Sequence, residues 1–256
     1  MKKKFSLLLC LFMLGCVIPT ATRAEDPPAA PPVSEFAPAE GLQAQLSSYV
    51  ADLTAAVESE TAYTEKKDRI VRDANTVVVL ALALGLHDTE NDLKAAAPAV
   101  IKAAQAVGAA QDFATAKTAV GELEQAAAGK GETATEEKAL TWNEKHARMG
   151  QVMKQVTFLH NKLRRAIKRL DAKTKVENAQ QAAVLAVIAQ AVIADTHEVK
   201  DPAQFGEWYR LAGEMRDASS SLRVAIEDQD KAAAEKAMIG LTQSCETCHK
   251  AFRVEE

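Results

Sequence analysis

From Met149 the apolar positions Met149, Val152, Val156, Leu159, Leu163, Ala166 and Leu170 recur in steps of three and four. That is the period of one helical face, and it predicts a long amphipathic helix. Val176, Gln180, Ala183, Val187, Ala191 and Ala194 mark a second helix. Phe205, Trp208, Leu211, Met215, Ala218, Leu222 and Ala225 mark a third, opened by Asp201-Pro202 as cap and first-turn proline. A last helix spans about Asp230 to Arg253. Short connections between long helices favour antiparallel neighbours, so the expected assembly is an up-down-up-down four-helix bundle. Residues upstream show a similar rhythm, with helices expected near 41–60, 63–86, 91–108 and 111–128. A shift of 105 aligns Val79, Leu80 and Ala81 with Val184, Leu185 and Ala186, and a shift of 118 aligns Ala116, Ala119 and Leu123 with Ala234, Ala237 and Leu241. The chain therefore reads as all-α, two helical bundles with a trace of duplication between them.

Breaks divide the chain. Lys2, Lys3 and Lys4 precede an apolar run from Phe5 to Ile18 and a small-residue stretch ending at Ala24, the layout of an export signal cleaved near Ala24. Residues 25–39 are rich in proline and read as an extended linker. Residues 40–130 form the first bundle, Gly129-Lys130-Gly131 the break, and 138–256 the second bundle. Met13-Leu14-Gly15-Cys16 offers a rival reading, a lipoprotein signal with Cys16 acylated, which would put the protein at a membrane surface.

Composition supports this division. Only 5% of residues are aromatic, and eight prolines and eleven glycines punctuate 256 residues, which suits helices. The 31 basic residues lose four with the leader (Lys2, Lys3, Lys4 and Arg23) and the 35 acidic residues lose none, so the mature balance is about −8. That balance argues against nucleic acid as a partner. The leader also takes Cys10 and Cys16, leaving two cysteines.

Those two lie in Cys245-Glu246-Thr247-Cys248-His249, the C-x-x-C-H sequence of covalent haem attachment. Positions i, i+3 and i+4 share a helical face, so two thiols and an imidazole meet one flat ligand. The thiols form thioethers with the haem vinyl groups and the imidazole reaches the iron. A thioredoxin-like redox pair would sit at a helix start beside a βαβ pattern, zinc would need further ligands, and a disulfide leaves His249 unexplained.

With Phe252 and Arg253 after the motif and the C-terminus close behind, residues from about 140 to 256 resemble the cytochrome c-prime family and its low-spin relative cytochrome c556. The resemblance implies a four-helix bundle with one haem c, a periplasmic location, and either electron transfer or binding of a small gas. It implies His249 as axial ligand, Cys245 and Cys248 as attachment points, and Phe252, Arg253, Trp208 and Val152 around the haem. The low-spin relatives place a methionine four residues after an arginine in the first helix. Here Arg148 plus four is Val152, which favours an open iron, while Met153 lies one position away. The candidates for the sixth ligand are Met149, Met153 and His146, with His197 more remote, and of these Met153 or Met149 is preferred. Met238 lies eleven residues before His249, roughly 16 Å along the axis, too far to ligate.

Other residues carry plainer expectations. His160 is read as surface or packing, His87 as an exposed loop residue, and Lys162, Arg164, Arg165, Lys168 and Arg169 as a solvated face or a docking patch for an acidic redox partner. No acid–base machinery is apparent, so the chain is not read as an enzyme. Three functions compete: one-electron transfer with a periplasmic redox protein, gas binding at a five-coordinate haem, and partner binding by the first bundle with the haem as accessory. A homodimer is also expected.

Overall fold

The computed structural model describes residues 26–130 and 139–253. The leader, Cys10, Cys16, the lipoprotein reading and Gly131 fall outside the described residues. Among those described, the chain is all-helical: α1 (Val33–Phe36), α2 (Ala39–Ala56), α3 (Glu60–Gly85), α4 (Ala97–Ala109), α5 (Phe113–Ala127), α6 (Met149–Ala166), α7 (Lys175–Val192), α8 (Phe205–Glu227) and α9 (Lys231–Phe252).

Local chemistry sets the ends. Ser59, Asp112 and Asp230 cap α3, α5 and α9 by accepting the backbone N–H three residues on. Past the end of α5, Gly129 takes φ +68° while the Lys130 N–H reaches back to the Gln125 carbonyl, a left-handed terminus suited to glycine. Three expectations shift. The first stripe was drawn through Leu170, but Leu170 itself adopts φ 42° and α6 stops at Ala166. The fourth helix starts at Ala97 rather than 91, because Asn91 accepts the Leu93 N–H and donates to the Leu84 carbonyl, forming a turn that Pro98 then closes. The proline-rich segment read as a linker is packed at its end: Val33 and Phe36 are buried, and α1 lies on α8.

In the first half α3 packs on α2 and α4, and α5 on α4 and α2; in the second α6 packs on α7, α7 on α8 and α8 on α9. Between the halves the contacts are exchanged: α2 lies on α7, α3 on α6, and α3 meets α7. This reciprocity is the pattern of an isologous contact, here made within one chain. It encloses α3 from Asp73 to Leu84 and α7 from Gln181 to Gln190 on all sides, which is why both stretches are nearly continuous in small and branched apolar residues. Val176, assigned to the core stripe, stands in the first turn of α7 ahead of that enclosure and is 61% exposed. Polar ties cross the contact: Gln45 Nε2 donates to Gln180 Oε1 at 3.1 Å, and Gln155, fully buried, donates to the Tyr49 hydroxyl at 2.7 Å.

His87 departs from its expectation. It is buried, with Nε2 3.0 Å from the Ala37 carbonyl and Nδ1 accepting the Thr89 N–H. Its ring ties the end of α3 to the chain following α1, a use that a loop position does not announce.

Candidate haem-attachment site

α9 positions the motif. Cys245 and Cys248 are half-buried free thiols that pack against the core, and His249 is exposed one residue further on. Burial pushes the Cys245 thiol up, and it pushes Cys248 up to about 11, with the neighbouring Cys245 and Glu207 adding to it. These are protonated, weakly nucleophilic thiols, unlike the depressed pKa of a redox C-x-x-C. Partial desolvation of the otherwise exposed His249 lowers it, and the Arg253 charge lowers it further, both favouring the neutral imidazole. Among the described residues no three His, Cys, Asp or Glu side chains gather as a protein-only metal site would need.

The end of the molecule that holds the motif is built from four elements. Trp208, near the start of α8, is buried; its indole N–H donates to the Val192 carbonyl at the end of α7, 3.2 Å away. Its ring meets Phe252 of α9 edge-on, centroids 5.3 Å apart. Lys145, leading into α6, pairs at 2.8 Å with Asp195, which follows α7. The start of α6, the end of α7, the start of α8 and the end of α9 therefore share one end. Phe205 is half-buried there and stacks obliquely on Tyr209, and Arg253 is exposed where α9 stops.

α6 and α9 are less closely packed than α7 and α8 or α8 and α9. His160 bridges them: its Nε2 lies 2.9 Å from Thr242 Oγ1, whose own hydroxyl proton goes to the Met238 carbonyl, so the imidazole donates. Thr242 marks the face of α9 that looks toward α6. Cys245 and His249 follow it by three and seven residues, on the same face. On α6, Met153 precedes His160 by seven residues, two turns, and is half-buried. Because the start of α6 and the end of α9 share an end, Met153 and His249 fall at one level on facing sides of the two helices. Met149 and Val152 are buried instead against Val79 and Leu82 of α3 and Ala191 and Val192 of α7, in a cleft between the halves.

The candidate ligand His146 and the more remote His197 are engaged elsewhere. His146 Nε2 meets the Thr141 carbonyl at 3.2 Å; His197 holds Asp195 through Nδ1 at 2.5 Å and Glu198 through Nε2 at 3.0 Å. The sequence reading missed the His160–Thr242 tie, although the spacing Thr242, Cys245, His249 at i, i+3, i+7 was there to be read. It also missed that the first half positions α6: the Arg148 N–H donates to Asn75 Oδ1 at 2.8 Å, the Arg148 guanidinium donates to the Gly108 carbonyl, and Gln105 donates to the His146 carbonyl.

Haem c suits the chemistry of this donor set: two protonated thiols and one neutral imidazole within about 100° of one helix, Cys245 and His249 turned toward a loosely packed neighbour that bears a thioether. No family model matches the sequence, and no curated protein and no solved structure matches it either.

Proposed function

We propose that the protein is an exported c-type cytochrome whose α6 to α9 form an up-down-up-down four-helix bundle, with one haem attached at Cys245 and Cys248, and that it transfers single electrons in the periplasm. The observation that carries this reading is that Cys245 and His249 lie with Thr242 on the face of α9 turned toward α6, with Cys248 beside them on the side toward α8. Each cysteine S–H adds across a vinyl double bond, sulfur to carbon and hydrogen to the neighbouring carbon, so attachment consumes no oxidant. His249 would hold the haem iron through its neutral imidazole, and Met153 would offer it a thioether sulfur. Trp208 and Phe252, both buried, close the end of the bundle against water and hold α7, α8 and α9 in register. Bound haem supplies the one-electron iron couple.

Met153 rather than Met149 is the sixth ligand in this reading, because Met149 and Val152 face the other half of the molecule. The resemblance to the cytochrome c-prime and c556 family is then closer to its low-spin members, and the five-coordinate, gas-binding alternative loses ground. The visible spectrum of the dithionite-reduced protein, with and without carbon monoxide, tests this. Sharp, split α and β bands unmoved by carbon monoxide are expected. A broad high-spin spectrum that shifts with carbon monoxide would remove Met153 from the iron and install gas binding as the function.

A further inference from the structure

α6 carries Lys154, Lys162, Arg164 and Arg165 and no acidic residue, in a chain whose formal net charge is −4. Lys168 and Arg169 follow in the next turn. Of these six cations only Lys162 joins an ion pair among the described residues, with Glu177 at 2.7 Å. Lys154, Phe158, Asn161, Arg165 and Lys168 are spaced four, three, four and three apart, one continuous stripe opposite the buried Val152, Val156, Leu159 and Leu163. Phe158 in its middle is 48% exposed. Arg72 of α3, itself paired with the buried Asp73, lies over the Phe158 ring at 4.9 Å, so the first half stacks a guanidinium on the aromatic of this surface.

We infer that this outer face of α6 is a docking surface for an acidic electron-exchange protein. The inference rests on the electron-transfer reading and names the partner's chemistry. A solvated helical face in an acidic chain would mix both signs. This one is of a single sign, surrounds an exposed aromatic, and belongs to the helix that faces the motif. An acidic partner is repelled by the chain as a whole and attracted here, which orients it at encounter.

Two probes on the full-length protein test it. In amide NMR, a poly-glutamate peptide is expected to shift residues 154–169 and Arg72, and the shifts should vanish in the triple variant Lys154→Glu, Arg165→Glu, Lys168→Glu. In kinetics, one electron passes from the reduced protein to ferricyanide, giving oxidised protein and ferrocyanide. Screening shortens from about 10 Å at 0.1 M salt to about 3 Å at 1 M. The wild-type rate should fall about threefold or more over that range, and the triple variant's rate should rise. Peptide shifts on another face, or a wild-type rate that rises with salt, would overturn the inference. So would tight sedimentation with phosphatidylglycerol vesicles in the absence of peptide shifts, which would make the face a lipid surface. Haem peroxidase staining is scored separately: an unstained protein that still shows the peptide shifts would sink the cytochrome reading and leave an anion-binding face.

Discussion

Trp208 is the side chain that joins three helices at the motif's end, and its replacement has a calculable cost. Trp208→Ala removes a buried indole, its edge-on contact with Phe252 and its hydrogen bond to Val192. Large-to-small changes of an aromatic core residue cost about 3–5 kcal/mol. Trp208→Phe retains most of the packing and loses chiefly the hydrogen bond. The Val192 carbonyl also accepts the Asp195 N–H at 3.0 Å, so it is not orphaned. The loss should then be about 0.5–1.5 kcal/mol for the bond, plus a little for the smaller ring. At a urea slope of about 3 kcal/mol per M, the Ala variant's midpoint should fall by about 1.3 M and the Phe variant's by about 0.5 M. Urea titration followed by helical circular dichroism reads both. Equal midpoints for the two variants, or a Phe variant as damaged as the Ala variant, would refute the claim that packing rather than the hydrogen bond holds this end together.

Met153→Leu should convert a sharp six-coordinate spectrum to one that responds to carbon monoxide, while Met149→Leu should leave the spectrum unchanged; visible absorption separates them. Gly85→Ala places a Cβ 2.5 Å from Leu140 and 2.7 Å from the Cβ of Ala97, so urea titration should show a loss of about 1–3 kcal/mol. In haem-free protein, Cys245 and Cys248 should alkylate more slowly at pH 7 than a free cysteine, since burial raises both thiols; mass spectrometry after timed iodoacetamide treatment would expose the opposite order. Burial lowers His160 below its ordinary 6.5, with Arg164 adding to the effect and Glu246 opposing it. Unfolded chains therefore bind the proton first, and stability present above about pH 6.5 is lost as pH falls. Stability measured across that window should flatten in His160→Gln.

The stripe of α6 was legible because one face is buried and the other is solvated, so its period survives in the sequence. The C-x-x-C-H face on α9 was legible for the same reason. α3 and α7 were placed to within about three residues, yet a helix enclosed on all sides has no face to announce, and Val176 was assigned to a core it does not enter. His87 and the chain after α1 were misjudged because their burial depends on contacts some fifty residues apart. Counting from Arg148 does not show which side of α6 looks toward α9; that register comes from His160 and Thr242, a pairing 82 residues apart. The first half's hold on Arg148 through Asn75 and Gly108 is likewise tertiary, with no local signal.

The central claim is covalent haem on α9, and intact mass spectrometry of the protein made alongside c-type maturation machinery tests it most directly. A mass raised by one haem under denaturing conditions is expected, with no increment in the double variant Cys245→Ala, Cys248→Ala. An unmodified mass for the wild-type chain, or an increment that survives both substitutions, would contradict it.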